Sequence, residues 1–430
     1  MINQIEIKGY RLLDGFLADF RHLTVVIGAN AVGKSTLIDC LQLIAQCADS
    51  PLNTALGWHW GMLSLLNAAA SDRRIGWKII FEKPANSPWT SLPMDEGQSI
   101  CYEVILQGDI QGLAQAQYEV LRRPEPLPGY TEAFKYLEAT SYRRQIYSRE
   151  HHRLVPFDEA LPPSDQVRET TDAAGRNIGL PLPAQEPVLM LSQIRFLNDF
   201  PIPSSARILL ASMAFYPGFD VTRFSALRVK AAEIKPITTL TQNGENLGTV
   251  LHEILTRYDY RQSANDMRDF LKAAYPAFDE IHCDTTYGTP AQVLVRVREK
   301  GMRRSMELWE LSDGMLRFLC LAAAMLNPVP PPIVILDEPE AGLHPRMMPV
   351  VADMIKTAAE RTQALVTTHS PDLLNRFNIH DVAVMSRLEE DPKVQWHRPE
   401  NRKTLVQMLK AVSGESIGDL HRSGELEVIS

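Results

Sequence analysis

A short β-branched run, Leu23-Thr24-Val25-Val26-Ile27, stops at the octapeptide Gly28-Ala29-Asn30-Ala31-Val32-Gly33-Lys34-Ser35. From Lys34 to about Ala48 the apolar residues Leu37, Ile38, Leu41, Ile44 and Ala45 recur at helical spacing. Strand, glycine-rich turn and helix in this order point to an α/β fold with a buried parallel strand at its centre. The turn suits an anion, because glycines let backbone N–H groups face inward and the helix adds its positive N-terminal end. In such a loop Lys34 reaches the β- and γ-phosphates of a nucleotide and Ser35 supplies a hydroxyl oxygen to Mg²⁺. Gly28, Asn30, Gly33 and Thr36 complete the phosphate-binding set. Ala31 is an oddity, standing where a second glycine is common.

A second group of segments begins about 275 residues further along. Ile333-Val334-Ile335-Leu336, bounded by Pro332 and Pro339, delivers Asp337 and Glu338 to the carboxyl end of a strand, where ligands sit in open α/β sheets. Asp337 suits Mg²⁺ coordination, directly or through water, and Glu338 suits a carboxylate that orients and deprotonates an attacking water. A further strand, Gln363-Ala364-Leu365-Val366-Thr367-Thr368, ends at His369, whose imidazole can hydrogen-bond a γ-phosphate or that water. Leu311-Ser312-Asp313-Gly314 opens a helical pattern through Met315, Phe318, Leu319 and Ala322. Helix capping alone explains Ser312 or Asp313. A free helix N-terminus bearing a serine hydroxyl is also a γ-phosphate receptor, able to serve the nucleotide of a second copy. The combination predicts an ATPase that uses ATP and Mg²⁺, with Lys34, Glu338 and His369 as catalytic residues and Ser35 and Asp337 at the metal.

Bulk properties exclude several alternatives. An apolar fraction of 45% and a charged fraction of 22% belong to a globular chain, and 430 residues make one large elaborated domain or two lobes. No apolar run reaches membrane length, and the start lacks the pattern of a signal peptide. Five scattered cysteines without CxxC spacing suit a reduced, cytoplasmic setting. A net charge of −8 gives no global pull toward a polyanion, so DNA binding would need a local basic surface. Tyr142 to Arg153, basic with interleaved tyrosines, is the candidate surface, with a solvated helix face as its plainer reading.

Along the chain, residues 2–8 alternate as a half-exposed strand, and Gly76–Glu82 and Ile100–Gln107 resemble antiparallel strands. Residues 1–128 hold the phosphate loop and the antiparallel strands, and 241–385 hold Leu311–Gly314, the Asp-Glu strand and the strand ending at His369. Residues 129–240, proline-rich with mixed helical patterns and no sustained heptad, are expected to form an inserted, mainly helical lobe, and 386–430 a tail. Asn243-Gly244-Glu245-Asn246-Leu247 marks a turn and helix start.

The set GANAVGKS, LSDGMLR, VILDEPEAGLHP and VTTHSP resembles ABC-type ATPases of the RecF/SMC class. Within that class the chain is similar to stand-alone bacterial ATPases akin to the ATPase parts of OLD-type and Septu-type phage-defence proteins. The resemblance covers residues 1–45 and about 245–385, with the tail from Ser416 to Leu420 and from Ser423 to Leu426. It implies a P-loop NTPase fold with a mixed sheet, an ATPase head whose two parts are residues 1–128 and 241–385, and a homodimer or higher even-numbered oligomer closed over two ATP molecules. Ser312, Asp313 and Gly314 of one copy would then face the γ-phosphate held by Lys34 of the other. The resemblance also implies that Glu340, Ala341 and Gly342 communicate between sites and that Arg11 contacts nucleotide. Asp313 replaces the glycine of the commoner LSGG signature. The family's glutamine-loop residue has no clear holder, Gln42 and Gln46 being the nearest choices.

The long insertion disfavours a transporter subunit. The Asp-Glu, signature and histidine segments disfavour kinases and GTPases. The short tail, in which Glu389-Glu390-Asp391 resembles a solvated turn, disfavours a fused nuclease. Two expectations remain. One is a dimerising ATPase that regulates a separately encoded effector, a nuclease or toxin, in anti-phage defence. The other is an ATP-gated DNA clamp in repair or recombination.

Overall fold

The computed structural model describes residues 1–69, 72–82, 99–109, 112–148, 151–157, 187–195, 198–229, 232–286, 292–387, 393–401 and 416–422. The acidic turn at 389–391 and the tail segment 423–426 lie outside these residues.

A six-stranded sheet is assembled from distant parts of the chain. Its order is β10 (Ala214–Tyr216), β15 (Ile333–Asp337), β16 (Gln363–Thr367), β3 (Leu23–Ile27), β17 (Val382–Arg387) and β18 (Val394–His397). The first five run parallel and β18 closes the edge antiparallel. All five residues of β3 and of β16 are buried, the signature of strands covered on both faces. The sheet separates two cores. Val26, Ile333 and Ile335 face one, together with helix α1 (Lys34–Cys47). Val25, Val334 and Leu336 face the other, with α4 (Leu247–Thr256), α5 (Asp313–Met325) and α6 (Met348–Ala359).

The first core is closed by an eight-stranded antiparallel sheet. Its order is β2 (Phe16–Asp19), β1 (Ile2–Lys8), β4 (Arg74–Glu82), β5 (Ser99–Gly108), β6 (Ala114–Arg122), β7 (Lys135–Thr140), β8 (Arg144–Ser148) and β9 (Arg153–Pro156). Ile75, Trp77, Ile79 and Phe81 alternate inward along β4, as a strand with one wet face requires. A smaller sheet of β11 (Ala232–Glu233), β13 (Gln292–Glu299), β12 (Phe278–Thr286) and β14 (Met306–Glu307) flanks the second core.

The expectation of a helical lobe over 129–240 needs correction. Residues 135–156 are the strands β7, β8 and β9, which extend the antiparallel sheet because Leu137, Ala139, Ile146 and Val155 present apolar side chains to its core. The basic stretch at 142–153 accordingly supplies the paired strands β8 and β9 and no helix face: Tyr142 is fully exposed in the turn between β7 and β8, while Arg144 is tied to Gln193 and lies over the Phe157 ring. Among the described residues of this region, helix enters only with α2 (Met190–Gln193), α3 (Pro201–Ala211) and the short helix Ala226–Val229, and residues 214–216 belong to the central sheet. The proline-rich part between 158 and 186 lies outside the described residues.

Candidate active site

The phosphate loop, the Asp-Glu pair and His369 all stand at the carboxyl ends of adjacent parallel strands β3, β15 and β16. Residues more than 300 positions apart in sequence thus share one rim, as the strand-order rule for α/β sheets predicts.

In the loop, Gly28 must be glycine, because a Cβ there would stand 2.2 Å from the Met385 carbonyl oxygen. Gly33 caps α1 in a left-handed conformation with no side chain on the helix N–H groups, which leaves them to an anion. Ala31 adopts φ 65°, the left-handed region in which glycine would be unstrained, and this accounts for its oddity in the sequence. Lys34 is buried and its Nζ donates to the carbonyls of Gly28 at 2.8 Å and Ala29 at 3.0 Å. Asn30 and Ser35 are exposed beside it, with Thr36 half-buried.

Asp337 and Glu338 are aligned by one hydroxyl. Thr367 Oγ1 donates to Asp337 and accepts the Glu338 N–H at 3.2 Å, while the Thr367 carbonyl accepts the same N–H at 3.1 Å. Glu338 takes φ 49°, turning its exposed carboxylate to 3.7 Å from His369 Nε2. Glu340 does more than the resemblance implied. One of its carboxylate oxygens accepts from the Thr368 hydroxyl and from the N–H groups of His369 at 3.0 Å and Ser370 at 3.1 Å, and so fixes the histidine loop. Ser370 then caps the short helix α7 (Pro371–Leu374).

Ser312 caps α5 by accepting from the Met315 N–H at 3.3 Å, so the simple capping role is met. Gly314 packs beside the Gly342 carbonyl, where a Cβ would sit at 3.6 Å, and Arg317 donates to the Ala341 carbonyl at 3.3 Å. The start of α5 and the loop Glu340–Gly342 therefore form one packed surface. Arg11 pairs with Asp39 of α1 at 2.6 Å in a network with Tyr10 and His59. Burial opposes ionisation of Asp39, but hydrogen bonds from His59 and Tyr10 and the charge of Arg11 hold its carboxyl below the ordinary range. Gln42 donates to Gln242 at 3.1 Å and Gln46 bonds His59 at 3.0 Å.

Several residues at the site carried no sequence signal. Thr367 reads as an ordinary strand former, and for Glu340 the resemblance implies communication between sites but no part in holding the histidine loop. His421, on α8 (Ile417–Arg422), arrives from the tail: burial, then the charges of His369 and Lys34, hold its imidazole below the usual histidine range. Gly418 of α8 donates to Asn375 at 2.6 Å, docking the tail helix behind the histidine loop.

An oriented Asp337 carboxylate and an exposed Ser35 hydroxyl fit a Mg²⁺ ion carried in with a triphosphate. Among the described residues no group of three or more His, Cys, Asp or Glu forms a metal site of its own. There the ion would screen the phosphate charge.

Residues 204–375 match the family described as "AAA domain, putative AbiEii toxin, Type IV TA system", and residues 1–82 match the "AAA ATPase domain" family. The DNA repair protein RecN of Rickettsia prowazekii is 23% identical over 64% of this chain and 45% of its own length. The RecN of Rickettsia bellii is 24% identical over 28% of this chain and 21% of its own. The phosphate import ATP-binding protein PstB 2 of Mycobacterium tuberculosis is 29% identical over 26% of this chain and 41% of its own. The chain thus spans less than half the length of these curated relatives.

Among solved structures, the Smc head bound to the C-terminal winged-helix domain of ScpA aligns with TM-score 0.51 at 12% identity, covering 93% of this chain and 99% of that one. The Pyrococcus furiosus Smc head with an extended coiled coil aligns with TM-score 0.53 at 12% identity, covering 95% and 99%. At such identity the likeness is one of fold. Motifs, strand order and family matches converge: the chain is an ATPase with an ABC-type P-loop fold, the fold of the Smc heads, and its motifs resemble those of the RecF/SMC class.

Proposed function

We propose that this chain binds ATP with Mg²⁺ at the rim of the parallel sheet, that two copies close head to head over two ATP molecules, and that hydrolysis reopens them. The observation that carries the reading is Glu338, held at 3.7 Å from His369 by the Thr367 and Glu340 anchors at the strand ends that flank the phosphate loop. Lys34, released from the Gly28 and Ala29 carbonyls, engages the β- and γ-phosphates. Glu338 takes the proton of the attacking water, and His369 positions that water and registers loss of the γ-phosphate. Ser312, Asp313 and Gly314 present the N-terminus of α5 to the nucleotide of the second copy. Closing and opening are then a population shift set by γ-phosphate contacts.

In this reading the cycle controls a separately encoded effector, a nuclease or toxin, in a cytoplasmic anti-phage system. The acidic balance of the chain, the toxin-system family over 204–375 and the likeness of the motifs to phage-defence ATPases support it. Among the described residues no helix is long and apolar enough to cross a membrane. The RecN matches favour a second reading, an ATP-gated DNA clamp. Duplex binding that falls steeply with salt would select the clamp. ATPase activity independent of nucleic acid, with co-purification of a neighbour-encoded protein, would select the regulator.

The test is Glu338→Gln, followed by hydrolysis assays and by light scattering with and without ATP and Mg²⁺. Hydrolysis is expected to fall by about 100-fold or more, with an ATP-dependent assembly trapped. Retained hydrolysis and a mass indifferent to nucleotide would overturn the site.

A further inference from the structure

Asp313 poses a problem for a γ-phosphate receptor. It is 71% exposed at the first turn of α5, and its carboxylate opposes the approach of a polyanion. The structure supplies a counter-charge from outside the signature. Arg228, in the short helix Ala226–Val229, donates through Nη2 to the Asp313 carboxylate across 85 positions of sequence. Its side chain is only 8% exposed, and the rest of the guanidinium is fully engaged. Nε donates to the Val221 carbonyl at 2.8 Å, and Nη1 to the carbonyls of Leu311 at 2.7 Å and Trp309 at 3.1 Å. One planar, permanently charged group thus binds three backbone carbonyls and one carboxylate, a task for which the fixed fork of arginine is suited and a lysine is not.

Two consequences follow from those four bonds. The carbonyls of Trp309 and Leu311 belong to the turn that leads into Ser312, so Arg228 sets where α5 begins. The bond to Asp313 neutralises the acid at the helix end, where the dipole and the Ser312 hydroxyl would otherwise compete with a carboxylate for the incoming phosphate. We propose that Arg228 is the positioning residue of the in-trans phosphate receptor: it fixes the signature turn and cancels the Asp313 charge, so that an aspartate-bearing signature can accept the triphosphate held by a second copy. This rests on the reading of α5 as facing the partner's nucleotide.

The experiment is run in the Glu338→Gln background, where assembly is read without turnover. Adding Arg228→Gln should leave ATP affinity of the dilute, unassembled chain within about twofold, and raise the ATP concentration for half-maximal assembly by about tenfold or more, the scale of one lost charge-assisted contact. Adding Asp313→Gly to that variant should recover most of the loss, because the uncompensated carboxylate is gone. A merely structural arginine would show no such recovery. Assembly of the Arg228→Gln variant equal to that of its background, or no recovery with Asp313→Gly, overturns the proposal. Should Arg228→Gln fail to fold, Arg228→Lys makes the comparison. It keeps a cation but reaches fewer acceptors, so assembly about threefold weaker is expected, and unchanged assembly counts against the role. If Glu338→Gln alone does not assemble with ATP, the head-to-head reading itself has failed, which separates that outcome from the others.

Discussion

Glu338 sits at φ 49°, a conformation that costs a non-glycine residue about 1 kcal/mol or more and persists only where neighbours enforce it. Thr367 is the enforcing neighbour. Its hydroxyl has one proton, which goes to Asp337, and a lone pair, which accepts the Glu338 N–H at 3.2 Å. Removing that hydroxyl while keeping the shape isolates its effect. Thr367→Val is expected to slow hydrolysis by about tenfold or more with a much smaller change in ATP affinity, and to cost about 1 kcal/mol of stability as the half-buried Asp337 carboxylate loses its donor, while the Glu338 N–H keeps the Thr367 carbonyl. Steady-state kinetics beside denaturant melts check this, and an unaltered rate would remove Thr367 from the site. The Asp337, Glu338 and His369 positions are legible in sequence because each ends an apolar run. Thr367 is not, since a threonine inside a strand looks like any β-former.

At the scale of elements, one buried carboxylate joins the antiparallel sheet to the helices beyond it. Glu119 of β6 accepts from the N–H groups of Met190 at 2.6 Å and Leu191 at 2.8 Å, the start of α2, and from the Tyr102 hydroxyl at 2.9 Å. It thereby satisfies helix donors that would otherwise be orphaned in the core. Burial pushes its carboxyl above the ordinary glutamate range, against the pull of those hydrogen bonds. Because the folded value is raised, the contribution of Glu119 is fullest below the unfolded value and shrinks as pH rises through the folded one. Glu119→Ala should therefore cost about 2–4 kcal/mol, and the cost should diminish as pH rises from the ordinary glutamate range toward neutrality. Urea melts across that range measure it, and a cost that grew with pH would contradict the assignment. No sequence pattern announces this link, because β6 carries its glutamate on an otherwise alternating strand and the helix it caps has only four residues.

For the whole molecule, the central sheet draws β3 from the start of the chain between β16 and β17 from its far end. That closure is legible in sequence because β3, β15 and β16 are continuous apolar runs ending in chemistry. The region from 129 to 240 is not, because β7, β8 and β9 are half-buried edge additions whose apolar residues alternate only weakly, and β10 has only three residues. The two sheets are stapled by Gln363, the first residue of β16. Its buried amide accepts from the Ile2 N–H at 2.8 Å and donates to the carbonyls of Ile2 at 2.7 Å and Arg21 at 3.0 Å. Arg398 and Trp396 add a second staple, each bonding Asp19 at 2.9 Å. These polar staples hold together the two sheets that enclose the first core, joining positions as far as 361 apart. Gln363→Leu keeps the volume and removes three bonds, leaving Ile2 and Arg21 backbone groups unpaired at a cost of about 2–4 kcal/mol. Beyond the fall in melting temperature, calorimetry should show the van't Hoff enthalpy dropping below the calorimetric one, as the antiparallel sheet begins to melt ahead of the parallel core. A single two-state transition at the native temperature would show instead that apolar packing alone makes the two lobes one cooperative unit.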